Sequence, residues 1–177
     1  MKEDLQVWLD FLRHFNGACM FLPDRWLSSQ ELKLYTDASG AIGYAAVFGS
    51  QWFQGEWNVH WQHKNIAVLE FYPIVIAVQV WSKYFANKCI VFNTDNLSLV
   101  HVINKQTSKD KHIMFLLRLL VSTCLTFNIY FRAKHLTTKE NVLCDYLSRS
   151  KVQQFLHMAP WADKDPVDIP TLPPYPN

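Results

Sequence analysis

The sequence predicts an α/β domain built on a five-stranded mixed sheet, in the order βββαβααβα, flanked by helices. Three observations predict it. Three short alternating segments come first, joined by glycine-bearing turns that suit an antiparallel meander. After them, strand-period and helix-period segments alternate, which is how parallel crossovers are written in a sequence. Size and composition agree: 177 residues, 50% hydrophobic and 18% charged, suffice for one domain with a sizeable core.

Residues 1–31 read as a helical lead-in. Leu5, Trp8, Leu9 and Leu12 keep helical spacing, and Asn16-Gly17 supplies a stop. Pro23 and the polar Ser28-Ser29-Gln30 then mark a linker. Strands follow at about 32–37, 43–49 and 51–58. A long apolar helix covers about 69–85; Pro73 sets its start, because proline is tolerated in a first turn, where its missing N–H is not needed. Cys89–Thr94 forms the fourth strand, and helices follow near 96–104 and 112–124. The second of these carries Ile113, Leu116, Leu117, Leu120 and Cys124 on one face. The fifth strand, about 126–133, alternates Phe127, Ile129, Phe131 and Ala133. A last helix begins near 138, where Thr137 and Glu140 have the spacing of a capping box. The folded domain is thus expected over 32–158. Residues 159–177 hold six of the eight prolines and form an extended tail, a linker or a surface-docked strap.

Net charge is +2, but residues 32–159 hold 13 Lys/Arg against seven Asp/Glu, a basic body that suits a polyanionic partner. No uninterrupted apolar run reaches the roughly 18 residues of a membrane span, and no secretory signal opens the chain. An intracellular protein, cytoplasmic or nuclear and without a membrane partner, is expected, or a piece of a longer polyprotein. The four cysteines form no CxxC pair, which argues against a zinc or redox site and for reduced, packed thiols.

Asp37 interrupts this apolar pattern. In "KLYTDASG", residues 33–40, it stands where the first strand ends. Asp95 ends the fourth strand in the same way. If those strands are parallel neighbours, both carboxylates emerge at the carboxyl edge, where open α/β sheets place their sites. Glu70 would sit on the first turn of the long helix and Asp145 within the first two turns of the last. Each alone has a plainer role as a turn, helix-dipole or surface residue. Together they are four of the seven acids between 32 and 159. Repulsion and desolvation would penalise such a cluster unless hard divalent cations neutralise it, Mg²⁺ being the ordinary one.

From about residue 32 to 150 the chain resembles a ribonuclease H domain, the enzyme that cuts the RNA strand of an RNA/DNA hybrid. "YTDAS", "LEFYPIVIAV", "FNTDNLSLVHVIN" and "AKHLTTKENVLCDYLSR" carry the likeness. More narrowly, "TDNLSLVHVINKQTSK" and "DYLSR" resemble the reverse transcriptase–ribonuclease H region of DIRS-type retrotransposons, which integrate with a tyrosine recombinase. The resemblance implies that residues 1–31 are a connector from a polymerase module of the same polyprotein. It also implies that Asp37, Glu70, Asp95 and Asp145 are catalytic and hold two Mg²⁺ ions, replaceable by Mn²⁺. Asp37 would bridge both ions, Glu70 and Asp95 would share one, and Asp145 would complete the other. One cation activates a water for in-line attack and the other steadies the leaving 3′ oxygen. His135 matches the mobile histidine that precedes the final acid.

Hybrid is chosen in this family by shape and 2′-OH more than by base sequence. Candidate contacts are Ser39, Asn65, Asn96, Lys105, Lys109, Lys111, Arg132 and Lys134. The chain also departs from the family pattern. "LTTKEN" after His135 lacks glycines, "KQTSKDKH" is too short for a basic protrusion, and Ile66-Ala67-Val68 replaces polar residues ahead of Glu70. Weak grip by the isolated domain, made good by the polymerase module, is implied. Trp52, Trp57 and Trp61 with Phe53 are expected in a core or an interdomain surface rather than a base-stacking platform.

Two other functions compete. An integrase or transposase on the same fold would place its glutamate last in sequence, whereas Glu70 comes second. A catalytically weak or inactive module, binding hybrid or scaffolding a reverse transcriptase, is the remaining alternative. Removal of the tail from Pro160 is expected to spare cleavage.

Overall fold

A computed structural model of the chain describes residues 2–13, 26–135, 141–173 and 175. Its antiparallel meander consists of β2 (Leu34–Ala38), β3 (Gly43–Phe48) and β4 (Gln51–Glu56). Thr36 lies opposite Ala46, and Ala46 opposite Phe53. Successive β3 residues face opposite sides, as the strand period requires. Tyr44 and Ala46 join the main core with Phe71, Ile74 and Val75 of α3 (Ile66–Phe85). Ala45 and Val47 join Trp52 with Cys144 and Leu147 of α6 (Val142–Ser148) and Phe155 of α7 (Val152–Met158).

The second sheet is parallel. In it β5 (Cys89–Thr94) pairs with β6 (Tyr130–His135), and on its other edge with β1 (Trp26–Ser28). The single five-stranded mixed sheet expected from the sequence is therefore not what forms. The ladders are two sheets of three, β1-β5-β6 and β2-β3-β4. The strand beside β5 is not the one bearing Asp37 but Trp26–Ser28, a stretch expected to be linker. Between β1 and β2 the chain makes a helical turn, α2 (Ser29–Leu32), and reverses at Lys33, whose φ is 54°. An anchored side chain accompanies the β1 pairing: the Trp26 ring packs 5.0 Å from Tyr130, and Arg132 Cζ lies 4.1 Å from the Trp26 ring centroid.

α3 starts three residues before the expected Leu69. Asn65 Oδ1 accepts the Ala67 N–H at 2.9 Å and caps it. Pro73 consequently lies inside the helix rather than in its first turn, and Glu70 is in the second turn. The 20-residue helix is long and apolar enough to cross a membrane, with a mean hydropathy of 1.4, yet 72% of that window is buried in the domain. That is the pattern of a core helix. Trp52, Trp57, Trp61 and Phe53 are all buried, as core residues.

α4 (Leu97–Lys105) and α5 (Lys111–Thr126) follow β5. Asn104 of α4 reads β6 like a neighbouring strand: its Nδ2 donates to the Ala133 carbonyl at 2.9 Å, and its Oδ1 accepts the Ala133 N–H at 2.8 Å. The edge of β6 is thereby engaged at this point. β6 begins at Tyr130, later than expected, because α5 runs on to Thr126 and Asn128 turns the chain with φ 55°. α6 begins at Val142, and the start expected near 138, with Thr137 and Glu140, lies outside the described residues; α7 follows it. A further helix, α1 (Lys2–Arg13), is tied to α5 by the Asp4–Arg118 ion pair at 2.9 Å. Among the described residues Cys89, Cys124 and Cys144 are buried.

The proline-rich segment contains no helix or strand from 160 to 173, but it is docked. Trp52 Nε1 donates to the Asp163 carbonyl at 2.7 Å, the Asp163 N–H to the Ser50 carbonyl at 2.9 Å, and the Val167 N–H to the Trp52 carbonyl at 2.8 Å. Leu172 is buried in the main core.

Candidate active site

Four acids come from four elements. Asp37 is the fourth residue of β2, Asp95 follows the last residue of β5, Glu70 projects from α3, and Asp145 is on the first turn of α6. The strand ends and helix starts dictate this placement. β2 gives way to a turn in which Ser39 Oγ accepts the Ile42 N–H at 3.4 Å, and β5 gives way to α4, capped by Asn96.

The acids act on one another. Burial pushes the Asp37 carboxyl above its ordinary range; the Ser148 hydrogen bond opposes this, Asp145 and Asp95 add to it, and Arg149 eases it. Glu70 is raised first by burial, is opposed by a hydrogen bond from Asn96, and is raised again by Asp95 and Asp37. The four therefore form one electrostatic unit, although β2 and β5 are not ladder neighbours. Ser148 Oγ donates to Asp37 Oδ2 at 2.6 Å, and Arg149 Nε to Asp145 Oδ1 at 2.8 Å.

Among the described residues, no three of His, Cys, Asp or Glu stand close enough to make a ready cation cage. The residues nevertheless fit hard cations on two counts. The donors are all carboxylate oxygens, and Glu70 Oε2 is buried without a hydrogen-bond partner, an acceptor left unfilled.

His135 ends β6 opposite Thr94, with Nε2 3.2 Å from the Asp95 carbonyl oxygen. Lys134 and Arg132 lie exposed on the same strand, but the Arg132 guanidinium rests on Trp26. Ser39 is a turn residue whose carbonyl accepts Trp57 Nε1 at 2.7 Å. Asn65 is the α3 cap. Lys105 ends α4, whose other end is at the acids, so about 13 Å of helix separates it from them. Lys109 and Lys111 flank the start of α5, where Lys64 Nζ donates to His112 Nε2 at 2.9 Å and ties this start to the loop ahead of α3. Asn96, Lys134 and His135 are thus beside Asp95, and Lys105 stands at the far end of α4.

Sequence reasoning missed three residues here. Ser148 and Arg149 hold Asp37 and Asp145, and Asn141 Nδ2 donates to the Thr36 carbonyl at 2.7 Å, joining the start of α6 to β2. "DYLSR" contained the signal for the first two: Ser148 and Arg149 follow Asp145 by three and four residues, on one helix face.

The fold is that of ribonuclease H domains. The chain is similar to the N-terminal ribonuclease H domain of a Mycobacterium tuberculosis protein, solved as a fusion with maltose-binding protein. That match has a TM-score of 0.51 and 14% identity, and it covers 71% of this chain and 94% of the other. It is similar also to ribonuclease H1 from the halophilic archaeon Halobacterium salinarum, with a TM-score of 0.50, 11% identity, and coverage of 68% and 95%. No protein-family model matches the sequence, and no curated protein matches it significantly.

Proposed function

We propose that the protein is a ribonuclease H, a divalent-cation-dependent endonuclease that hydrolyses the RNA strand of RNA/DNA hybrids. We place it beside a reverse transcriptase polymerase module in a retroelement of the DIRS type, on the motif resemblance described above. The observation that carries the activity is the single electrostatic unit formed by Asp37, Glu70, Asp95 and Asp145 at one edge of this fold.

Those four carboxylates would hold two Mg²⁺ ions, or Mn²⁺ in their place. Bound there, the cations supply a nucleophilic water at neutral pH and neutralise charge on the leaving oxygen. The side chains do the rest. Asn96 orients Glu70, and Arg149 holds Asp145. His135, exposed beside the Asp95 carbonyl, is placed to accept or give a proton at its ring nitrogens. Lys134, exposed on the same strand end, would meet the hybrid's phosphates.

The test is cleavage of a labelled RNA strand in an RNA/DNA hybrid with Mg²⁺, Mn²⁺ or EDTA, beside Asp37→Asn. Cutting that needs the metal and is lost in the variant is expected. Folded protein that binds hybrid but never cuts it would replace the proposal with the binding-module alternative.

A further inference from the structure

We propose that Ser148 is a positioning residue of the cation site, fixing Asp37 to the helix that carries Asp145; this rests on the metal-site reading above. Ser148 closes α6 and is 1% exposed. Its Oγ donates to Asp37 Oδ2 at 2.6 Å and lies 3.2 Å from the backbone carbonyl of Asp145, three residues earlier. A hydroxyl has one proton to give. The short, charge-assisted bond to the carboxylate takes it, so the 3.2 Å approach to the Asp145 carbonyl is a close contact rather than a second donation.

Two consequences follow from that geometry. With Oδ2 held, the Asp37 carboxylate cannot turn freely, and Oδ1 is presented in one orientation. And because the same side chain belongs to α6, β2 and the Asp145 helix cannot separate without breaking the bond. Asp37 and Asp145 lie 108 positions apart in the chain, yet Ser148 connects them through one oxygen. Packing alone does not require a hydroxyl here, since alanine would fill almost the same space. What the hydroxyl adds is directed contact with a carboxylate, and hydrogen-bond partners of metal-holding side chains set cation affinity by about ten- to a hundred-fold.

The experiment titrates Mn²⁺ into the full chain by calorimetry, for wild type, Ser148→Ala, Ser148→Thr and Asp37→Asn. Thermal midpoints in EDTA and the Mn²⁺ concentration for half-maximal hybrid cleavage accompany it. Ser148→Ala is expected to bind Mn²⁺ at least about ten-fold more weakly. Its cleavage should need correspondingly more Mn²⁺ and recover at saturation, while its midpoint in EDTA stays within about 4 °C of wild type. Ser148→Thr, which keeps the hydroxyl, should retain the affinity. Wild-type Mn²⁺ affinity in Ser148→Ala, or equal loss in the alanine and threonine variants, overturns the proposal. The control separates the two levels: if Asp37→Asn binds Mn²⁺ like wild type, the cation-site reading itself fails, and the Ser148 proposal with it.

Discussion

Asn96 Oδ1 accepts the backbone N–H groups of Ser98 at 3.0 Å and Leu99 at 3.3 Å, and the same side chain favours the charged form of the Glu70 carboxyl against its burial. One residue therefore caps α4 and holds an acid that α3 brings from elsewhere. The two duties can be separated. Asn96→Ala should lose about 1 kcal/mol of capping energy, a fall in Tm of about 2–4 °C by calorimetry. Asn96→Ser keeps a capping oxygen but is too short to reach Glu70. Its Tm should stay near wild type while Mn²⁺ affinity falls as in Asn96→Ala.

Asp37 is strained by its surroundings when no cation balances it, since burial and two neighbouring acids disfavour its charge. Asp37→Asn removes that charge. In EDTA the variant is expected to melt above wild type, and Mg²⁺ should stabilise it less than wild type. Hybrid cleavage should fall by more than about a hundred-fold, the scale of removing one group from a preorganised electrostatic site. Paired melts with and without Mg²⁺ check the first part, and a cleavage assay the second.

Leu172 is 3% exposed, at the end of a segment that two backbone hydrogen bonds and one from the Trp52 indole tie to Ser50 and Trp52. The segment is a strap, so its removal from Pro160 is expected to destabilise the domain, contrary to what its composition suggests. Leu172→Ala tests the strap by itself. The loss should be about 2 kcal/mol, or about 4–8 °C in Tm. A midpoint equal to wild type would show that the docked segment adds nothing to stability.

Gly43 lies opposite Glu56 in the β3–β4 ladder, hard against the backbone of the neighbouring Gly55. A Cβ on Gly43 would run into the Gly55 backbone carbonyl, which cannot swing aside as a side chain could. Gly43→Ala should cost about 1–3 kcal/mol through a forced backbone shift. Urea denaturation measures it, and a change under about 0.5 kcal/mol, the range of an innocuous surface substitution, would show that the sheet relaxes freely here.

Much of this molecule was legible from residue type and spacing. Asp37 and Asp95 are readable because a charge breaks an alternating or apolar run where the strand stops. The helical face of Ile113, Leu116, Leu117 and Leu120 is readable because periodicity is a local property. Trp26–Ser28 was not readable as a strand, since three residues set in polar sequence carry no period. The start of α3 was misplaced because Pro73 was read as a first-turn residue, whereas the Asn65 cap starts the helix at Ile66 and leaves the proline inside it.

The sequence by itself determined the long helices, most of the strands and which acids stand at their ends, because those depend on neighbours a few residues away. Tertiary structure alone decided that β5 pairs with β1 rather than β2, that the proline segment docks, and that Ser148 reaches Asp37 from 111 positions away. Those outcomes turn on which surfaces meet once the chain is closed, and hydrogen bonds and burial between distant residues leave no period in the sequence.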